Sequence, residues 1–199
     1  MKNIFITQGL YYDKRKNLFT KLDYDWYLYS KKINFILNPI SYDENFFHKI
    51  KKGDGIIFSG GNDLYIKNRK KENLKRDTFE KKIYNYLINK KIPMMFVCRG
   101  MQFLANIHNI KILRTFDHVK KNHKIKYDGE DLNVNSYHNY LFYKKPKKYD
   151  VLGKHSDDNS IEMMQNKKQK VIAIMFHPER KSKDQKKVDI IFKNFFNIK

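Results

Sequence analysis

The residue with the most chemistry in it is Cys98, the chain's single cysteine, set between an apolar run from Pro93 to Val97 and a helix-competent stretch from Arg99 to Asn106. That order predicts a strand, a sharp turn at Cys98, Arg99 and Gly100, and then a helix. A thiol at a helix N-terminus faces backbone N–H groups with no intrahelical acceptor and the positive end of the macrodipole, which favours the thiolate and makes the sulfur nucleophilic. The same elbow carries the serine of many hydrolases. Taken alone, a free cysteine after a buried strand also reads as a small core residue, so the rest of the chain has to decide between the two.

A cysteine hydrolase needs a base to take the thiol proton and return it to the leaving group, and a carboxylate to orient that base. His177, Pro178 and Glu179 follow the apolar segment Val171 to Phe176. In extended backbone, residues two apart project to one side, and Pro178 keeps the segment from coiling, so His177 and Glu179 are expected together at a strand end. The oxyanion of an acyl-transfer intermediate needs rigid backbone donors. Gly60 and Gly61 sit at the end of the apolar segment Gly55 to Ser59, where glycine allows an N–H to point into a site and substrate to approach. No Gly-Lys-Ser/Thr follows, so this is not a phosphate loop. His118 and His123 are too loosely spaced to read as zinc ligands and are expected in a loop, and neither a metal nor a redox cofactor is expected.

The elements that must position these groups read as an α/β fold. Asn3 to Gln8, Ile33 to Asn38, Gly55 to Ser59 and Pro93 to Val97 are short apolar segments alternating with helix-length stretches, which predicts βαβ units and a largely parallel, buried sheet. Leu18, Leu22, Trp26 and Tyr29 keep helical spacing in the first crossover, and Thr78, Phe79, Ile83, Tyr84 and Leu87 keep it before Pro93. After Ile112 the pieces shorten to Lys124–Tyr127, Leu132–Asn135, Ser160–Met164 and Val171–Phe176, and Val188 to Phe196 closes the chain as an amphipathic helix. Lys67 to Lys75 and Tyr143 to Lys148 read as solvated lysine-rich loops. With no linker-like stretch and no repeat, residues 1–199 are expected to form one domain.

The formal charge of +21 invites a nucleic-acid reading. The lysines run from Lys2 to Lys199 among many Asn, Ile and Tyr, and no nucleic-acid motif accompanies them, so nucleic acid is not the expected partner. An anionic small substrate would still be attracted. Met1 to Thr7 is too short for a signal segment, and no apolar run approaches membrane-spanning length. Together with the lone cysteine, this makes a reducing cytoplasm the expected location and excludes a membrane partner. A homo-oligomer is compatible with everything above.

Ser59-Gly60-Gly61, Cys98-Arg99-Gly100-Met101-Gln102, Val134-Asn135-Ser136-Tyr137-His138 and Phe176-His177-Pro178-Glu179, in that order, resemble the class I glutamine amidotransferase-like superfamily over nearly the whole chain. The resemblance implies a flavodoxin-like, three-layer α/β fold around a mostly parallel sheet. It also implies a triad of Cys98, His177 and Glu179, and oxyanion donors at the backbone amides of Gly61 and Arg99. A γ-glutamyl group would be held by Gly60, Gln102, Asn135, Ser136 and Tyr137.

Arg99 after the nucleophile, with Arg76-Asp77-Thr78-Phe79-Glu80 upstream, looks like the γ-glutamyl hydrolases of the peptidase C26 type, including the γ-glutamyl-γ-aminobutyrate hydrolases. Tyr137-His138-Asn139 departs from the Leu-His-His-Gln usual there. The short, Lys/Asn-rich γ-glutamyl-CDP-amidate hydrolases of capsule phosphoramidate biosynthesis are the subgroup it most resembles. They imply thioester hydrolysis of a nucleotide-linked γ-glutamyl amide to glutamate and cytidine diphosphoramidate. The rim expected to choose the leaving group is Tyr11 to Arg15, Asp63 to Lys67 and Arg114 to His123. Two other readings stand beside this one. One is a glutaminase subunit serving a synthase, and the other is a basic, non-enzymatic nucleic-acid-binding protein on a degenerate amidotransferase fold.

Overall fold

The computed structural model describes residues 1–43 and 46–199. In chain order the elements are β1 (Lys2–Ile6), β2 (Gly9–Tyr12), β3 (Leu18–Lys21), α1 (Asp25–Ile33), β4 (Phe35–Pro39), β5 (Gly55–Phe58), α2 (Lys71–Leu87), β6 (Met94–Val97) and α3 (Arg99–Ile107). The second half holds β7 (Leu113–Arg114), β8 (Val119–Tyr127), β9 (Glu130–Tyr137), β10 (Tyr140–Leu141), β11 (Asp150–His155), β12 (Ile161–Asn166), β13 (Val171–Ile174) and α4 (Gln185–Phe196). One sheet runs in the order β4-β1-β5-β6-β13-β12-β11-β8-β9. Its first five strands are mutually parallel. From β13 outward the pairing is antiparallel.

The apolar strands β5, β6 and β13 are buried at every position, as they must be when helices cover both faces. Alternation then divides their side chains between two cores. Ile56, Phe58, Met94 and Phe96 pack with Phe79, Ile83 and Leu87 of α2 and Met101 and Leu104 of α3. Ile57, Met95 and Val97 pack with Trp26, Tyr29 and Ile33 of α1 and Val188, Phe192 and Phe196 of α4. The result is a three-layer α/β architecture in which the parallel strands all end at one edge. Cys98, Ser59 and the turn after Ile174 meet there.

Three expectations are corrected. Leu18 lies in β3, not in the first crossover helix, and Leu22 falls before α1. The Asp13 carboxylate accepts the amides of Arg15 and Asn17, both at 2.8 Å, and so stabilises a tight turn that makes β2 and β3 a hairpin. Lys71 to Lys75 form the first turns of α2, because Asn73 is buried there with its amide on the Asn68 carbonyl at 3.0 Å. Strand β11 has no counterpart in the sequence pattern. It is irregular, with register shifts at Gly153, which blurs the period-2 alternation a strand would otherwise show. No described helix is long and apolar enough to cross a membrane.

Candidate active site

Cys98 closes β6 and opens α3. Its N–H donates to the Ile174 carbonyl at 2.8 Å, continuing the sheet, while its carbonyl accepts the Gln102 amide at 3.1 Å, starting the helix. Serving both elements at one residue forces a φ of +51° and ψ of −106°. That is a conformation non-glycine residues rarely adopt. The elbow depends on Gly100, since a Cβ there would stand 2.2 Å from the Phe58 carbonyl oxygen. The glycine in the Cys-Arg-Gly run is therefore what lets α3 lie against the end of β5.

His177 leaves the sheet just beyond β13 and is clamped by Asn135, which accepts its N–H at 2.9 Å and donates to its carbonyl at 2.7 Å. Its Nδ1 is 2.7 Å from Glu179 Oε1. Both side chains are buried. Gly60 lies against the ring, since a Cβ there would be 2.7 Å from His177 Cε1 and 3.7 Å from Cys98 Cβ. The glycine turn, the thiol and the imidazole thus converge on one point. Burial opposes charge on the ring, but Glu179 on one side and the Cys98 sulfur on the other outweigh it and push the His177 pKa up to about 10.

The glycine turn is held from below. Arg76 of α2 donates to the carbonyls of Ser59 at 2.9 Å and Gly60 at 3.0 Å and to the Asn62 side chain at 3.0 Å. Its Nε pairs with Glu80 at 2.9 Å. The other Glu80 oxygen binds the Arg99 guanidinium, which also reaches Asp77. Burial would raise the Glu80 pKa, but the two guanidiniums hold it down. With its carbonyls drawn toward Arg76 and Gly61 at φ +96°, the turn has its peptide orientations set before any ligand arrives. Arg99 and Gly61 are thereby coupled through α2, a link the Arg-Asp-x-x-Glu spacing carried without revealing its geometry.

The expected γ-glutamyl contacts divide. Gln102 is buried one turn into α3, with Nε2 3.8 Å from Met175 Sδ. The Asn135 amide is committed to His177, Arg180 and Ser182. Ser136 Oγ donates to the His118 carbonyl at 2.5 Å. What this segment still offers a ligand is its backbone and the exposed Tyr137 ring, which stands edge-on to His177 at 5.8 Å with the Arg180 guanidinium 4.5 Å from its centroid. Beside His177, Glu179, Gly60 and Gly61 opens a cleft of about 480 Å³, its outer wall formed by Tyr11, Lys21, Tyr24 and Arg180.

Of the rim residues singled out in the sequence, Tyr11 lines this cleft, whereas Arg15 sits in the hairpin turn, Lys67 donates to the Ile112 carbonyl at 2.7 Å, and Arg114 packs on Phe116. Nothing local in the sequence separates Lys21 and Arg180 from the other basic residues, so their place in the wall emerges only from the fold. His118 lies in the turn before β8, as expected, whereas His123 does not lie in a loop. His123 is in β8, and both converge with His138 on the buried Glu162.

A cysteine on a strained strand-to-helix elbow, facing a His–Glu pair and a glycine turn across the end of a parallel sheet, has the layout of an acyl-transfer hydrolase. Residues 23–198 match the family model for the class I glutamine amidotransferases, and the chain belongs to that family. It is 33% identical over 187 residues to the γ-glutamyl-CDP-amidate hydrolase of Campylobacter jejuni subsp. jejuni serotype O:2, with 90% of each chain covered. It is also 33% identical to component 2 of anthranilate synthase from Helicobacter pylori, over 47% of this chain and 52% of that one. In structure it is similar to a Thermoplasma acidophilum protein assigned as one subunit of a GMP synthase, with TM-score 0.74, 16% identity, and coverage of 100% of this chain and 94% of that one. A Thermotoga maritima glutamine amidotransferase shares the fold at TM-score 0.65 and 14% identity, with 97% and 82% covered.

Proposed function

We propose that the chain is a cytoplasmic γ-glutamyl hydrolase that cleaves a nucleotide-linked γ-glutamyl amide, γ-glutamyl-CDP-amidate, to glutamate and cytidine diphosphoramidate. The observation that carries the proposal is the convergence of the Cys98 elbow with the 2.7 Å His177–Glu179 pair, in a chain whose likeness to a hydrolase of that substrate runs over 90% of both sequences. In the proposed reaction Cys98, its proton passed to His177, attacks the γ-carbonyl carbon, and the backbone amides of Gly61 and Arg99 receive the oxyanion. Donors of this kind are worth roughly 3–4 kcal/mol each. His177 protonates the departing nitrogen, and Glu179 holds the imidazolium in place. The same imidazole then deprotonates a water that hydrolyses the thioester. A free thiol in this role is consistent with a reducing compartment.

The basic and aromatic outer wall of the cleft supports an anionic nucleotide beyond the scissile amide, with Tyr11 and Tyr24 available for stacking and Lys21 for phosphate. Glutamate release would be measured from γ-glutamyl-CDP-amidate, γ-glutamyl-γ-aminobutyrate and glutamine, each with the wild type and Cys98→Ser. The expected order puts the nucleotide amidate first by at least tenfold in kcat/KM, with no turnover by the variant. Equal use of γ-glutamyl-γ-aminobutyrate would overturn the nucleotide assignment. Turnover of glutamine only when a synthase is added would overturn the free-standing hydrolase.

A further inference from the structure

Four of the chain's seven histidines, His118, His123, His138 and His155, lie together at the antiparallel half of the sheet. Three of them present a ring nitrogen to Glu162 of β12, whose side chain is wholly buried. The separations are 3.3 Å from His123 Nε2, 3.4 Å from His138 Nε2 and 3.8 Å from His118 Nδ1. These are too long for charge-assisted hydrogen bonds, which run to about 2.7–2.9 Å. The two shorter ones, from His123 to Oε2 and from His138 to Oε1, are close to the edge of a coordination tetrahedron, about 3.3–3.4 Å when nitrogen and oxygen lie 2.0–2.1 Å from zinc.

Two of these rings, His118 and His138, do make hydrogen bonds through their outer nitrogens. His138 Nδ1 donates to the Tyr140 carbonyl at 3.0 Å, and His118 Nε2 donates to the Asp158 carboxylate at 2.9 Å. Those bonds fix the tautomers. With the outer nitrogen carrying the proton, the inner nitrogens of neutral His118 and His138 turn a lone pair toward the Glu162 carboxylate, acceptor against acceptor. His118 Nδ1, both ring nitrogens of His123, His138 Nε2 and both Glu162 oxygens are buried without a hydrogen-bond partner. Protonating the rings instead would set cationic His118 and His138 at a centroid separation of 4.7 Å inside the protein, at a heavy desolvation cost. A divalent cation bound by one atom from each of the four groups gives the three inner nitrogens and one Glu162 oxygen a partner at once, and a carbonyl or carboxylate behind a ligating histidine, as behind His138 and His118, is the usual arrangement for orienting it.

We infer that His118, His123, His138 and Glu162 form a four-ligand site for a divalent transition-metal ion, zinc by its three-nitrogen, one-oxygen donor set, with a structural rather than catalytic role. All four ligand atoms lie within 4.8 Å of one another. Four protein ligands leave no open position for a substrate or a reactive water. His155 stays outside, because its Nδ1 is occupied by the amides of Asp157 and Asp158. The ion ties the ends of β8 and β9 to β12 across the intervening β11. His138 directly follows Tyr137, whose ring stands against His177, so the tie also fixes one wall of the candidate active site.

The test is metal analysis of the full chain purified without a polyhistidine tag, followed by chelator stripping and reloading with Zn²⁺ or Co²⁺. The expected result is about one equivalent of metal per chain, a higher melting temperature on reloading, and the visible absorption of tetrahedral Co²⁺. Glu162→Gln and His138→Ala should each lower the bound metal at least tenfold, while His108→Ala and Cys98→Ser leave it unchanged. Should Glu162→Gln not fold, His123→Asn, at a partly exposed ligand, gives the same reading. A chain that takes up neither ion at micromolar concentration overturns the inference, as does metal that persists in the Glu162, His138 and His123 variants or is lost with Cys98→Ser.

Discussion

At the scale of single residues, the proposed reaction assigns Cys98, His177 and Glu179 different jobs. Cys98→Ala keeps the elbow, since alanine leaves only a small void, and should lower glutamate release by about 10⁴-fold or more while the melting curve stays close to wild type. Glu179→Gln removes the charge opposite the imidazolium and should cost about 10⁴-fold in kcat. It should also change the pH dependence of stability. The folded-state pKa of His177, about 10, lies above its ordinary value of 6.5, so folding binds this proton more tightly than the unfolded chain does. That contribution is fully present below about pH 6.5 and is lost as pH rises through about 10. Melting temperatures of wild type and Glu179→Gln should therefore differ most near pH 6 and draw together toward pH 10. A constant gap would mean that the pair does not hold the proton.

At the scale of elements, α2 does more than cross between β5 and β6. Through Arg76 and Glu80 it fastens the glycine turn after β5 to Arg99 at the start of α3, so two loops that must face each other share one buried support. Glu80→Gln leaves two buried guanidiniums short of a counter-charge and should destabilise the fold by about 3–5 kcal/mol, measured by denaturant unfolding. If it cost under about 1 kcal/mol, the level of an exposed ion pair, the network would be peripheral to folding. Gly100→Ala tests the junction of α3 with β5 directly. The 2.2 Å approach to the Phe58 carbonyl cannot be relieved by a rotamer change, so the variant should fold poorly or lose turnover through a displaced Cys98.

At the scale of the whole molecule, the +21 formal charge acts as a long-range field, and the proposed function gives the specific effect to the few cations that line the cleft. Lys21→Gln should reduce kcat/KM for a nucleotide-linked amide several-fold more than for γ-glutamyl-γ-aminobutyrate. Added salt should act in the same direction, because it screens the attraction for phosphate and leaves the γ-glutamyl contacts alone. Arg15→Gln, in the hairpin turn away from the cleft, should have little effect. A Lys21→Gln penalty equal for both substrates would place the nucleotide elsewhere.

What the sequence determined by itself is the part of the protein written in contiguous residues. The apolar strands at β1, β4, β5, β6 and β13, the Cys98 elbow, the His177–Glu179 pair and the paired glycines all follow from local geometry, because backbone conformation over a few residues decides where such side chains point. The hairpin of β2 and β3, the irregular β11 and the start of α2 were hidden, since an Asx turn, a bulge and a buried asparagine override the hydrophobic period. Tertiary structure alone decided the rest. Asn135 became the clamp on His177 across 42 residues, Arg76 and Arg99 came to share Glu80, and His118, His123 and His138 closed on Glu162. Each of these depends on strands distant in the chain ending side by side, so no spacing along one segment could announce it.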